Sequence, residues 1–193
     1  MDTKVVRTMI VLLMGLMLVG CGNEEFIDYY NNGNVKFKYT GYQGDGGKII
    51  KDGEAIEYYS NGNVKQKTIY VDGLENGEAV AYNENGTLLT KGNFKNGLTH
   101  GEVTFFYSNG NTSIKGNFVN DKKDGERVTY YENGDIESKE SYKDDKKDGE
   151  HISYYENGDI ERKVSYKDDK KDGEYIFYYA NENIKGKVSY KDD

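Results

Sequence analysis

Residues 124–147, DGERVTYYENGDIESKESYKDDKK, and residues 148–171, DGEHISYYENGDIERKVSYKDDKK, agree at 19 of 24 positions. A chain that repeats at a short fixed period builds no single enclosed core; each unit buries what it can against its neighbours. The period runs well beyond this pair. Gly-Glu recurs at Gly53, Gly77, Gly101, Gly125, Gly149 and Gly173, and an Asn recurs at Asn61, Asn85, Asn109, Asn133, Asn157 and Asn181. Gly follows that Asn in five of the six units, and Glu182 takes its place in the last. A divergent unit, FIDYYNNGNVKFKY, leads the series by 29 residues, the extra five lying around TGYQGDGG. Atypical end units suit an array whose terminal members lack one neighbour.

Each unit reads as a β-hairpin. A run such as EHISYY alternates and is rich in β-branched and aromatic residues; Asn-Gly then favours a two-residue type I′ turn, and DIERKVSY returns. The polar KDDKKDG connects to the next unit, with Gly149 and its equivalents easing the backbone where the strand starts. Apolar residues make up only 35% of the chain, too few for a thick dry core, while 13% aromatics argue against disorder. There is no Pro, which suits a chain whose N–H groups nearly all enter ladders. The expectation is an all-β, elongated antiparallel meander of repeated 24-residue β-hairpins, about 14 strands and about 65 Å long.

A two-residue turn sets the faces. Tyr59 then pairs with Val64 and Ala55 with Thr68; likewise Tyr155 pairs with Ile160. Tyr59, Val64 and Tyr70 share one face, and Glu54, Ile56, Tyr58 and Lys67 share the other. The Glu54 and Lys67 rows recur without exception in all six units. Their plain reading is a solvated cross-strand charge ladder that keeps the sheet from stacking on another chain. Their functional reading is a regularly spaced docking surface, with Glu54, Tyr58, Lys67, Tyr130, Tyr154, Lys163 and Tyr178 as its candidate residues.

Tyr-Tyr-x-Asn-Gly-x-Ile, an aromatic residue six places on, and then Gly-Glu resembles the bacterial MORN-variant repeat, especially that of the YwqK-family antitoxin proteins. The resemblance covers residues 26–193 and implies the MORN-like hairpin fold. The family often carries Trp two residues after the unit's Gly, where this chain has Ala55, Ala79, Val103, Arg127, His151 and Tyr175. Only His100-Gly101 keeps the His-Gly of eukaryotic MORN repeats.

The N-terminus differs in kind. Lys4 and Arg7 precede a 12-residue apolar run, Met9 to Gly20. That is short for a membrane-spanning helix and right for a signal-peptide core. Leu18-Val19-Gly20-Cys21 resembles a bacterial lipobox, which implies cleavage before Cys21 and lipidation of its sulfur. The domain reading is a lipoprotein signal peptide over 1–20, a lipidated tether over 21–25 and the repeat domain over 26–193. Two or three acyl chains anchor firmly. The location expected is the bacterial cell envelope: the outer membrane of a Gram-negative host, or the outer face of the cell membrane of a Gram-positive one. Loss of residues 1–20 takes away Lys4, Arg7 and Asp2, which turns a net charge of −8 into −9. So acidic a chain is repelled by anionic lipid and by nucleic acid, so membrane attachment rests on Cys21 and no nucleic-acid partner is expected.

Chemistry is hard to place on such an array. TGYQGDGGKII (Thr40–Ile50) lacks the first Gly and the Ser/Thr of a phosphate loop, Tyr42 and Ile49 standing there instead; it reads as a long flexible hairpin connection. DDKKDG at Asp144 and Asp168 has Lys146 and Lys170 where a calcium loop needs oxygen. His100 and His151 sit in different units without thiol partners, so no metal or other cofactor is expected. Near-duplicate units on an open sheet without concavity suit a surface better than a unique pocket, so catalytic residues are not expected. The reading is a non-enzymatic, lipid-anchored envelope protein whose sheet serves as a protein-interaction or spacer module. An antitoxin or immunity role stands as the alternative, and cell-wall glycan binding, without a single Trp, ranks below it. Cys21→Ser should shift mature-size protein from the detergent to the aqueous phase on phase partitioning. Unchanged partitioning removes the case for a lipid anchor.

Overall fold

The computed structural model describes residues 22–191. The reading of residues 1–20 as a cleaved leader and of Cys21 as its lipidation site lies outside the described residues. One sheet of 15 antiparallel strands makes up the described chain. The strands are β1 (Glu24–Tyr29), β2 (Val35–Gln43), β3 (Ile49–Tyr58), β4 (Val64–Val71), β5 (Leu74–Tyr82), β6 (Leu88–Lys95) and the short β7 (Leu98–Thr99). They continue as β8 (Gly101–Phe106), β9 (Thr112–Val119), β10 (Lys122–Tyr130), β11 (Ile136–Lys143), β12 (Lys146–Tyr154), β13 (Ile160–Lys167), β14 (Lys170–Tyr178) and β15 (Ile184–Tyr190). Neighbours in sequence are neighbours in the sheet, with β7 and β8 both pairing with β6. The meander of repeated hairpins is therefore the fold. Its first strand begins at Glu24, two residues inside the stretch read as a tether.

The turns differ from expectation in an instructive way. At Asn61-Gly62 the Gly62 N–H donates to the Tyr59 carbonyl at 2.9 Å and the Tyr59 N–H donates to the Asn63 carbonyl at 2.8 Å. Gly62 alone takes a positive φ, +92°. The loop thus has three residues, a type I turn followed by a left-handed Gly, and not the two-residue I′ form. Tyr154, not Tyr155, consequently lies opposite Ile160. An irregularity between Ser153 and Tyr154 then restores the register, so that Ile152 faces Lys163 and His151 faces Val164. Beyond the turn the pairing is the one a two-residue loop gives, Ala55 with Thr68 included.

The I′ turns lie at the opposite end of each hairpin. Asp72-Gly73 has φ of +48° and +82°, and Asp144-Asp145 has +50° and +71°. The polar connector is therefore ladder, with Lys143 paired to Lys146. Inside the following strand the register slips by two residues, from Tyr142↔Lys147 to Glu140↔His151. Gly149 sits in that slip at φ +115°, with Ser141 Cβ 3.0 Å from where its own Cβ would be. In five of the six units the repeated Gly marks a bulge within the strand, not a strand start; at Gly101 the strand is interrupted and β8 begins on the Gly. TGYQGDGGKII is likewise ordered strand for most of its length, since Tyr42 and Gln43 pair with Ile50 and Ile49.

A single layer has two wet faces, and no large side chain is fully buried among the described residues. Hydrogen bonds between units carry the load instead. At the Asn-Gly end, Tyr59 Oη donates to the Tyr82 carbonyl at 2.8 Å, Tyr107 to Tyr130 at 2.6 Å, Tyr131 to Tyr154 at 2.7 Å and Tyr155 to Tyr178 at 2.9 Å. Asn61 and Asn63 amides both donate to the Glu84 carbonyl of the next unit. At the I′ end, the Lys123 N–H donates to Asp145 Oδ1 while the Asp145 N–H donates to the Lys123 carbonyl, each 2.9 Å. Asp169 makes the same pair with Lys147. One unit lacks the tyrosine: Asn83 stands there and turns to Thr87. Tyr131→Phe should destabilise the sheet by about 0.5–1.5 kcal/mol, and Asn83→Tyr should stabilise it by a similar amount by reaching the Phe106 carbonyl. Denaturant unfolding of both variants checks the pair; a neutral Tyr131→Phe contradicts the account.

Candidate functional site

Alternation on the restored register sorts the side chains into two faces. On the first lie Glu54, Ile56, Tyr58 and Lys67 with their equivalents, and so Tyr130, Tyr154, Lys163 and Tyr178. These are the candidate docking residues of the sequence, and they share one face. Its charges pair diagonally: Lys91 with Glu78 at 2.6 Å, Lys115 with Glu102 at 2.9 Å, and Lys187 with Glu174. Lys38 and Glu25 extend the ladder into the divergent first unit at 2.7 Å. All are about half exposed, where ion pairs add little stability.

The second face carries Ala55, Glu57, Gln66, Thr68 and Tyr70 with their equivalents. Only its aromatic row, from Tyr70 to Tyr190, is nearly constant. The others change from unit to unit: Ala55, Ala79, Val103, Arg127, His151 and Tyr175 occupy one place, and Thr68, Gly92, Gly116, Glu140, Val164 and Val188 another. The five differences between the near-identical units are Arg127/His151, Val128/Ile152, Thr129/Ser153, Ser138/Arg162 and Glu140/Val164. Four of the five lie on this variable face.

Those substitutions meet in one cluster. Glu140 is buried, and accepts from Arg127 Nη1 at 2.8 Å, Tyr142 Oη at 3.0 Å and Lys147 Nζ at 3.0 Å. His151 Nε2 lies 3.5 Å from its other side. Thr129 and Ser138 share a hydrogen bond of 2.7 Å, and Arg162 Nε donates to Ser153 Oγ at 2.9 Å. Burial pushes the Glu140 carboxyl up, but hydrogen bonds from Lys147 and Tyr142, with the charges of Lys147 and His151, outweigh it and hold the carboxyl at about 2. Burial beside that carboxylate pushes the Tyr142 phenol up to about 12. Burial, then the nearby cations, pushes the His151 imidazole down despite Glu140. A carboxylate so firmly ionised is a weak general base at neutral pH. Its chemistry is to collect cations, which makes the cluster a structural ion network.

Next to it the face is concave, contrary to the expectation of a sheet without concavity. A groove of about 500 Å³ lies over Gly116, floored by Val103, Phe105, Ile114 and Phe118 and ended by Lys123 and Arg127. Gly116 makes the space: a Cβ there would meet only ordinary contacts from Arg127, at 3.6 Å. Sequence reasoning treated the units as copies and missed this cluster, although the spacing of the differences, two apart on each strand, already placed them on one face.

The MORN repeat variant matches six consecutive segments of the chain, 51–72, 75–96, 99–120, 123–144, 147–168 and 171–192. Each segment is one hairpin centred on the Asn-Gly turn (Asn-Glu in the last), and successive segments meet at the I′ turns. They cover more than half of the chain, and the protein belongs to the MORN repeat variant family. It is thus a repeat protein of the interaction-module type. No curated protein matches the chain.

The Glu140 network has a pH signature. A carboxyl lowered from 4.5 to about 2 by folding stabilises the protein fully above pH 4.5, and the gain is lost as pH falls through 2. From pH 7 to pH 2 the native protein should therefore lose roughly 3 kcal/mol more stability than Glu140→Gln. Denaturant titrations of both proteins at the two pH values measure the difference. Equal losses mean that Glu140 is not held ionised by its neighbours.

Proposed function

We propose that this is a non-enzymatic, lipid-anchored protein of the bacterial envelope that docks a protein partner through its variable face. The observation that carries the reading is the placement of four of the five differences between two near-identical units. The frame of Glu, Lys, Tyr, Asn and Gly is held while the side chains of one face are rewritten. Specificity needs such local differences, in charge and in shape, and a strictly periodic surface offers a partner the same contact in every register. The regular Glu/Lys face then serves as solvated framework, and docking is assigned to the opposite face from the one that the sequence rows suggested. Groove and network add the usual elements of a contact surface, an apolar hollow rimmed by Arg, Tyr and Lys. Anchoring is supported by the apolar run ending at Leu18-Val19-Gly20-Cys21, and the net charge of −8 supports lipid over protein surface as the membrane contact.

A photo-crosslinking amino acid placed at Phe105 or Ser138 on the variable face, and at Lys139 or Lys163 on the other, tests the proposal in intact cells. Discrete protein adducts from the variable-face positions alone are expected. Adducts only from Lys139 and Lys163 would move docking to the ladder face. Absence of adducts from all four positions would end the protein-docking reading.

A further inference from the structure

The variable face also has a charge pattern that selects among protein partners. The repeat position two residues before the recurring Gly holds Lys51, Glu75, Thr99, Lys123, Lys147 and Lys171. The last three are consecutive cations on this face. Each lies over aromatic rings: Lys123 Nζ is 5.0 Å from the Tyr142 centroid, Lys147 5.1 Å from Tyr166, and Lys171 4.6 Å from Tyr175 and 4.8 Å from Tyr190. Arg127 and Arg162 stand beside the row. Against these five cations, Glu140 is the carboxylate of the same face over units 123–171. Among the described residues no carboxylate lies within ion-pair distance of Lys123, Arg162 or Lys171. A chain of net charge −8 thus presents a cationic stripe on one face of its C-terminal half.

We infer that this stripe receives an extended acidic segment of the partner protein, lying across the strands with a carboxylate at every third residue. The inference rests on the docking function proposed above. Successive lysines are two strands apart, about 9–10 Å. A polyproline II segment has three residues per turn and rises about 9.3 Å per turn, so carboxylates three apart project to one side at the same spacing. A 15-stranded sheet accumulates twist, which a flexible extended segment follows and a straight helix does not. Backbone groups in the sheet interior are already paired, so the segment binds through side chains and not as an added strand. An acidic polysaccharide has charge but lacks a platform here, because ring faces already covered by ammonium groups do not stack on sugars. The groove over Gly116 adjoins Lys123, which lines it, and takes an apolar residue from the same segment.

The test uses the full chain in detergent at low salt and two labelled peptides of one composition. One is (Glu-Pro-Pro)4; the other holds its four glutamates in a block. Fluorescence anisotropy should show the spaced peptide binding on the order of tenfold more tightly. Lys123→Gln with Lys171→Gln should remove that preference, whereas Lys139→Gln with Lys163→Gln, on the other face, should keep it. Circular dichroism of each variant confirms the sheet. Equal binding of both peptides, or loss through Lys139 and Lys163 only, overturns the inference. So does stronger competition by polygalacturonate or by phosphatidylglycerol vesicles, which makes the ligand a glycan or a lipid. Failure of both peptides to bind while crosslinks from Phe105 persist rejects the acidic segment and leaves protein docking standing.

Discussion

A tyrosine hydroxyl donating to a backbone carbonyl 23 residues further on is the bond on which this architecture depends. A sheet one layer thick cannot exclude water from either side, so the hydrophobic term that holds ordinary domains is small here. What remains is the ladder between strands and the stitches between units. The tyrosines fix one margin of the sheet, and the aspartates of the I′ turns fix the other. Both partners come from adjacent units, so each unit is held chiefly by its neighbours and the array behaves as a one-dimensional chain of couplings.

Fixing the margins frees the middle. The bonds that define the repeat use Tyr, Asn, Asp and backbone at the ends of the strands. The turn backbone bonds recur in every unit and the Tyr bond in most, while Asn133 and Asn157 turn to Asp135 and Asp159 where Asn61 and Asn109 reach the next unit. Side chains at the centre of the variable face answer to no such rule. Arg, His, Tyr, Ala and Val follow one another at one place, and Glu replaces Gly or Val at another. Glu140 could enter only because Arg127, Lys147 and Tyr142 surround it, since a buried carboxylate without partners would destabilise the sheet severely. The surface is adjustable, but adjustments come in compensated groups.

Period, hairpin and strand count were legible in the chain because Gly, Asn and Tyr recur at fixed intervals. Turn type was not. Asn-Gly serves an I′ turn as well as a type I turn that ends on a left-handed Gly. The choice falls to the second because Asn61 keeps a negative φ and its Oδ1 accepts the Asn63 N–H at 2.9 Å. Asp144-Asp145 gives little sign of an I′ turn, being held at positive φ by the partner strand instead. The irregularity beside Tyr154 undid the error, so the faces came out right although the pair Tyr155–Ile160 did not. The ion network stayed hidden for another reason. The register read from the sequence already set Ala55 against Thr68, and so Arg127 against Glu140, but units read as copies of one another hide what differs between them.

The order of strands, sequential from one edge of the sheet to the other, also determines how the molecule responds to being pulled by its ends. Tension applied from β1 to β15 runs across the ladders, so hydrogen bonds break singly and in succession, like a zipper, and not all at once in shear. A released unit of 24 residues offers about 80 Å of contour in place of about 10 Å of folded sheet. A chain fastened to a membrane at one end and to a partner at the other would therefore lengthen in equal increments under modest load. Stretching single molecules would display that as a sawtooth of even spacing. The repeat gives the protein an elastic reach as well as a surface.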